Sequence, residues 1–105
     1  MNPTTAATIA ATLLVHVSAD YRAQVVSDCR IEGWDPAEHC YTTDAQAIDN
    51  LAALIASGAP AQEIVDALWR MDTSPRETVL ETLPEALWNA LGITCQPEDP
   101  HLPCR

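Results

Sequence analysis

The chain contains no lysine and no phenylalanine, and its cations are limited to five arginines and three histidines. Fifteen aspartates and glutamates oppose them, which gives a formal net charge of -10 and a pI near 4.3. Proteins gain affinity for nucleic acid largely by neutralising phosphates with lysine and arginine, so this composition argues against direct nucleic-acid binding. An acidic surface attracts basic partners and speeds their encounter, and the alternative is that the acidity serves solubility alone.

Glycine is also scarce, and long apolar runs are missing. The three glycines, Gly33, Gly58 and Gly92, each lie at an expected turn or helix end, which excludes a glycine-rich phosphate-binding loop. No apolar run approaches the roughly 20 residues that span a bilayer, and residues 6–17 lack the basic flank of a signal peptide. We therefore expect one globular domain over residues 1–105, without a membrane segment.

The apolar pattern of the N-terminal third predicts helix. Apolar residues recur every four positions from Ile9 to Cys29, and no glycine or proline interrupts residues 4–32 before Gly33. Because four residues exceed one α-helical turn, these positions form a slowly winding stripe. We favour one long helix, and the alternative is a pair of helices that divides near Ser18, after a β-branched stretch.

Helix-start residues mark two further segments. Asp35 and Pro36 provide an N-cap and a first helical residue, which predicts a short helix that ends near Tyr41. Thr43 is the predicted N-cap of the next helix, which places its apolar residues on one face and ends at Gly58.

Prolines mark the starts of the later helices. Pro60 begins one, and Ser74 with Pro75 predicts an N-cap and a first helical residue for the last. Pro84 lies inside the apolar pattern of that last helix, where it removes a backbone donor and clashes with the preceding turn. We expect a kink there, or two short helices that join near Leu83.

These segments predict an all-α fold, a small single-domain bundle of about four to six helices. The tail over residues 93–105 contains three prolines and little periodicity, and is predicted to be irregular coil. No internal repeat and no linker long enough to separate two domains are present in the sequence.

The four cysteines, Cys29, Cys40, Cys95 and Cys104, do not form a metal-binding pattern. No Cys-x-x-Cys is present, and the adjacent His39 and Cys40 would be awkward ligands for one ion, so we predict no metal and no cofactor. Reduced thiols are the default for Cys29 and Cys40, while disulfides within that pair and within the tail pair stay open. No nucleophile with a base and an orienting group can be identified, and catalysis is not expected.

The candidate partner-binding residues are acidic. Glu77, Glu81 and Glu85 are spaced by four, which on one helix aligns them about 6 Å apart, comparable to phosphates on a nucleic-acid strand. Asp66 and Asp72 could extend the line. Because like charges at this spacing slightly destabilise a helix, the row is a candidate site for a basic partner, and a solvated face is the alternative.

Trp34 is the candidate exposed anchor. It lies in a polar turn, and tryptophan is enriched at interaction hot spots. The alternative is that its ring folds back over the core. Trp69 and Trp88 fall on apolar helix faces and are predicted to pack in the core.

From Met1 through the Ser74–Gly92 segment to the tail between Cys95 and Cys104, the chain resembles the small, acidic, motif-poor anti-CRISPR proteins of phages and mobile elements. The likeness is greatest to inhibitors of type I-E systems. It implies non-enzymatic inhibition by binding, in the cytoplasm of a bacterial host cell. The implied target is a Cas protein: the crRNA-guided surveillance complex or the recruited helicase-nuclease.

The mechanism that the resemblance and the charge imply is a DNA mimic. An acidic helical face would occupy a groove lined with lysine and arginine, and block the engagement or cleavage of target DNA. Inhibitors of this group also act on nucleic acid itself, which the charge here makes less expected.

A second hypothesis is a helical protein-interaction or regulatory module with a hydrophobic docking surface, monomeric or homodimeric. Its acidity would serve solubility only. Binding that is insensitive to salt would favour this hypothesis over the acidic face, because salt screens exposed charges.

Overall fold

The computed structural model describes residues 2–92, and the backbone of residues 94–96 and 99–104. Its helices are α1 (Pro3–Thr12), α2 (Ala19–Glu32), α3 (Cys40–Ala56), α4 (Ala61–Arg70), α5 (Thr73–Thr82) and α6 (Glu85–Leu91). A π-helical segment (Leu13–Ser18) joins α1 to α2, and a 3-10 turn (Pro36–Glu38) precedes α3. The predicted all-α fold is confirmed. None of the helices in these residues is long and apolar enough to cross a membrane.

The N-terminal helix is continuous, and the π-helical segment lies at the place where a division was the alternative. Ser18 keeps helical dihedrals, with φ -60° and ψ -43°. A spacing of four residues drifts by about 40° per step on a regular α-helix. A π-helical turn takes up one extra residue, which turns the stripe back by roughly 100°. The stripe therefore stays buried at Ile9, Leu13, Val17, Val25 and Cys29.

Ser18 attaches the π-helical segment to α3. Its side chain is buried, and its hydroxyl donates a hydrogen bond to Asp49 Oδ1 over 2.6 Å. Arg22 donates to Ser18 Oγ, and its Nη2 lies 2.5 Å from Asp49 Oδ2. Burial acts to raise the pKa of Asp49, but the hydrogen bonds from Arg22 and Ser18 outweigh it and leave that pKa below its usual value.

The core is centred on α3, which packs against α1, the π-helical segment, α2, α4 and α5. Ala45, Ile48, Leu51 and Ile55 of α3 are fully buried. Burial of a leucine or isoleucine side chain contributes roughly 1.5–3 kcal/mol, so this face is a large contributor to stability. The later segments add Ile64, Val65, Leu68, Val79, Leu80, Leu83 and Leu87.

The helix α3 begins earlier than predicted. Asp35 caps the 3-10 turn as expected, since its Oδ1 accepts a hydrogen bond from Ala37 N over 3.0 Å. His39, however, is the N-cap of α3, because its Nδ1 accepts from Tyr41 N over 3.0 Å. The prediction of Thr43 as N-cap is wrong, since that residue lies inside α3.

The helix α5 also begins earlier than predicted. Its N-cap position is Asp72, and Ser74 is the second helical residue rather than the N-cap. The Ser74 hydroxyl lies 3.1 Å from the hydroxyl of Tyr21, on α2. The prediction of Ser74 as N-cap is wrong, because α5 already includes Thr73 and Ser74 lies inside its first turn.

Pro84 divides the last helical pattern into two helices, as one of the two alternatives predicted. Leu83 (φ -69°, ψ 137°) and Pro84 (φ -63°, ψ 146°) are both extended, so α5 ends at Thr82 and α6 begins at Glu85. The apolar phase continues across the break, because Leu80, Leu83 and Leu87 are all buried.

The tail differs from the predicted coil in its backbone. Strands β1 (Thr94–Gln96) and β2 (Asp99–Cys104) pair antiparallel, with Thr94 opposite Cys104 and an irregularity between Cys95 and Gln96. Both strands are edges of a two-stranded ribbon, where proline is tolerated because its missing donor can face outward. The coil prediction for Ile93, Pro97, Glu98 and Arg105 lies outside the described residues.

Candidate protein-interaction surface

The acidic row of three glutamates does not lie on one helix. Glu77 and Glu81 are one turn apart on α5, but Glu85 is the first residue of α6, beyond the break at Pro84. The prediction of a single-helix row is therefore wrong at its third member. Glu77 is half-buried, whereas Glu81 and Glu85 are exposed. As the first residue of α6, Glu85 lies in the first turn of a helix, where a negative charge is favourable.

The one arginine on α5 and α6 is buried. Arg76 is only 9% exposed, with its guanidinium carbon 5.5 Å from the centre of the Trp69 ring. Its Nη1 donates a hydrogen bond to the Trp69 carbonyl oxygen over 3.4 Å. The exposed charges of these two helices are consequently all negative.

The two aspartates that were expected to extend the row lie on other elements. Asp66 is half-buried on α4, and its Oδ1 accepts a hydrogen bond from Gln62 Nε2 over 2.7 Å. Asp72 is exposed before α5 and lies beside Asp44, a buried carboxyl of α3. Burial raises the pKa of Asp44, and the charge of Asp72 raises it further. The five predicted acids are therefore spread over the segments 61–72, 73–82 and 85–91.

Trp34 is 56% exposed, and Asp35 and Glu38 line the same surface depression. Its ring meets the His39 ring edge-on, with 6.0 Å between the ring centres. A surface depression here is lined by Gly33, Trp34, Asp35, Glu38 and His39. An exposed indole face next to carboxylates suits a lysine or arginine side chain, through cation–π attraction and charge. The role of Trp34 as an anchor stays a prediction.

His39 and Asp28 form a contact that sequence reasoning missed. The His39 side chain is 6% exposed, and its Nε2 lies 2.9 Å from Asp28 Oδ2. Because Nδ1 accepts the Tyr41 amide, Nε2 carries the hydrogen and donates it to Asp28. Hydrogen bonds from His39 and then Gln24 lower the pKa of Asp28. The available signal was the position of His39 between a turn and a helix, where a ring nitrogen can act as a cap acceptor.

Cys29 and Cys40 are free thiols in the structure, the first buried and the second exposed. Burial raises the pKa of the Cys29 thiol, and the nearby carboxylates of Asp28 and Asp35 act in the same direction. Within residues 2–92, no group of three or more histidine, cysteine or acidic side chains is arranged to hold a metal ion. The structure describes only the backbone of Cys95 and Cys104, so the predictions about their thiols lie outside it.

No family model matches the chain, and no curated protein or solved structure shows significant similarity to it. The surface geometry and the charge distribution are therefore the grounds for choosing a candidate binding surface.

Proposed function

We propose that this protein is a non-enzymatic inhibitor that binds a basic surface on an effector component of a type I CRISPR–Cas system. The observation that supports the binding surface is the one-sided charge of α5 and α6, where Glu81 and Glu85 are exposed and Arg76 is buried. The choice of a CRISPR effector rests on the resemblance of the sequence to anti-CRISPR proteins.

The proposed mechanism is occupation of a DNA-binding channel. The resemblance implies a target that holds DNA in a groove lined with lysine and arginine. A net charge of -10 would steer the inhibitor toward such a groove and raise the association rate. Bound there, it would block the engagement or the cleavage of target DNA.

Exposed ion pairs alone would give this complex little affinity, because each is worth about 0.2–1 kcal/mol. An aromatic anchor is the usual complement to such a surface. Trp34, flanked by Asp35 and Glu38, would supply it by receiving an arginine or lysine of the partner. The charged face would then set the association rate and the orientation of the complex. The tryptophan would account for much of the lifetime of the complex.

The double variant E81Q/E85Q tests the acidic face. Its affinity for the purified surveillance complex and for the helicase-nuclease is measured at low and high salt, together with the cleavage of target DNA. Loss of two exposed pairs is worth roughly 1.4 kcal/mol, which predicts about tenfold weaker binding at low salt and a smaller difference at high salt.

The matched control is E32Q/E63Q, which removes two exposed charges from other helices. It should bind more tightly than E81Q/E85Q. If the wild type binds neither effector at low salt, the CRISPR partner is excluded. If it binds but the two double variants have equal affinity, the α5–α6 surface is not the site.

A further inference from the structure

The N-terminal part of the helix is a neutral surface on an acidic protein. Residues 2–19 contain no aspartate, glutamate, lysine or arginine, and all fifteen acidic residues lie at Asp20 or beyond. At the chain's own charged content of 19%, about three charged residues would be expected among eighteen positions, so a charge-free run of this length is unusual. This part of the helix therefore presents a surface without acidic or arginine side chains on a strongly acidic protein.

Large apolar side chains are exposed on this same helix. Val15 is 62% exposed in the middle of the π-helical segment, and its neighbour Leu14 is 43% exposed. Val26 follows on α2 with 55% exposure. Leu14 and Val15 are neighbours in the chain, and exposed apolar groups that lie together, unlike single ones, mark interaction sites.

Exposed alanines are arranged symmetrically about Val15. Ala11 and Ala19 lie four residues before and after it, and Ala7 and Ala23 lie eight residues before and after it. All four are exposed. On a regular α-helix a spacing of four would wind around the axis, but the π-helical segment at the centre turns the stripe back by roughly 100°. The five side chains consequently stay near one face, the self-pairing face.

We infer that the self-pairing face binds the same face of a second copy of this chain, as an antiparallel helix pair with two-fold symmetry. In that arrangement Val15 meets its own copy, Ala11 lies opposite Ala19, and Ala7 lies opposite Ala23. A two-fold interface requires one patch that complements itself, and a stripe that is symmetric about its centre meets that requirement.

The charge distribution favours a second copy over other occupants of this face. Two chains of -10 repel each other wherever their acidic surfaces approach, and the charge-free residues 2–19, which contain most of the self-pairing face, let them approach with little repulsion. A basic partner would be drawn instead to the acidic surfaces of the later helices. Small alanine side chains also permit the close helix–helix distance, about 8–10 Å, at which two backbones pack.

The size of the face predicts a weak and reversible dimer. The helix from Pro3 to Glu32 is about 45 Å long and about 10 Å wide. This length matches the 43 Å long axis of a molecule that is only 18 Å thick. Contact along the whole helix would bury at most about 450 Å² per copy, below the roughly 800 Å² of a standard stable interface.

Sedimentation equilibrium of the purified protein from about 1 µM to about 1 mM tests the proposal. The average mass should rise toward that of two chains. Val15→Glu should weaken the dimer at least tenfold, because the two-fold axis brings the two introduced charges together. The matched control Ile31→Glu adds the same charge at a site that is 75% exposed and outside the self-pairing face, and should behave as wild type. A wild type that stays monomeric, or equal dimerisation of the two variants, would overturn the proposal.

The register is tested by charge pairs. Ala11→Lys and Ala19→Glu should each weaken the dimer alone, and the double variant should recover it because the two sites lie opposite each other. The mismatched double variant, Ala7→Lys with Ala19→Glu, should not recover it. Equal behaviour of the two double variants would exclude the antiparallel register. Circular dichroism confirms that each variant keeps its helix content, and no effector protein is needed, so the result is independent of the proposed CRISPR partner.

Discussion

The substitution His39→Ala removes three contacts that converge on the start of α3. The first is the N-cap hydrogen bond from the Tyr41 amide, and the second is the bond to Asp28. The third is the packing of the imidazole against two rings, with centre distances of 5.2 Å to Tyr41 and 6.0 Å to Trp34. Because the side chain is 6% exposed, solvent replaces little of what is lost.

Two of these contacts set the magnitude of the effect. Loss of an N-cap costs about 1 kcal/mol, and loss of the ring contacts costs about 1 kcal/mol more. The free energy of unfolding should therefore fall by at least about 2 kcal/mol, with the Asp28 bond adding to it. For a domain of this size that corresponds to a decrease in Tm of roughly 10 °C.

Urea unfolding followed by circular dichroism measures the change. His39→Asn retains a cap acceptor but is too short to reach Asp28 or fill the space between the rings, so it should lose less than His39→Ala. Thr43→Ala, at the N-cap that the sequence suggested, should cost nothing and could gain up to about 0.5 kcal/mol from better helix propensity. If Thr43→Ala is more destabilising than His39→Ala, α3 begins at Thr43 and the argument is refuted.

Three further predictions concern buried groups. Asp44→Asn should stabilise the protein at neutral pH, because the pKa of Asp44 is raised in the folded state. The stability of the wild type therefore falls as pH rises from near 3.8 through the folded-state pKa. Calorimetry against pH should show that the gain in stability of the variant vanishes in acid. Ser18→Ala removes a buried hydrogen bond to Asp49 and should lower the free energy of unfolding by about 1–2 kcal/mol in urea titrations. Alkylation of the native protein should label Cys40 well before Cys29, and peptide mapping that finds equal rates would contradict the burial of Cys29.

The parts of the fold that could be predicted depend on local backbone chemistry. Gly33 ends α2 in the left-handed region at φ 71°, where a glycine is favoured. Pro84 ends α5 because it lacks a donor and would clash with the turn before it, whatever surrounds it. Both effects act within one helical turn, so the sequence contains all the information that decides them.

The parts that could not be predicted depend on contacts between distant residues. Ser18 bonds to Asp49, which is 31 positions away, and this contact holds the π-helical segment that no local pattern indicates. Ser74, which the local pattern suggested as an N-cap, lies inside α5 instead, and its hydroxyl contacts that of Tyr21, 53 positions away. Tertiary contacts override a local preference worth about 1 kcal/mol.

The candidate surface shows the same limit. The spacing of Glu77 and Glu81 correctly predicts their positions one turn apart. The same spacing does not place Glu85 one turn further along, because α5 ends between Glu81 and Glu85. The burial of Arg76 over Trp69, which makes the exposed charge of these helices uniform, is a consequence of packing. From the sequence alone, Arg76 would be placed on the surface, where its positive charge would offset part of the negative charge of the glutamates.

The π-helical segment also fixes the length of the chain at that point. Deleting one residue between Leu13 and Ser18 would produce a regular α-helix, which is locally the more favourable structure. The residues before the deletion would then turn by roughly 100° about the helix axis, and Ala6, Ile9 and Ala10 would leave the core. A residue added or removed at the exposed turn at Gly58 would not rotate one part of a helix relative to another. We therefore expect natural variation in chain length to occur at such turns and to be absent from the six residues of this segment.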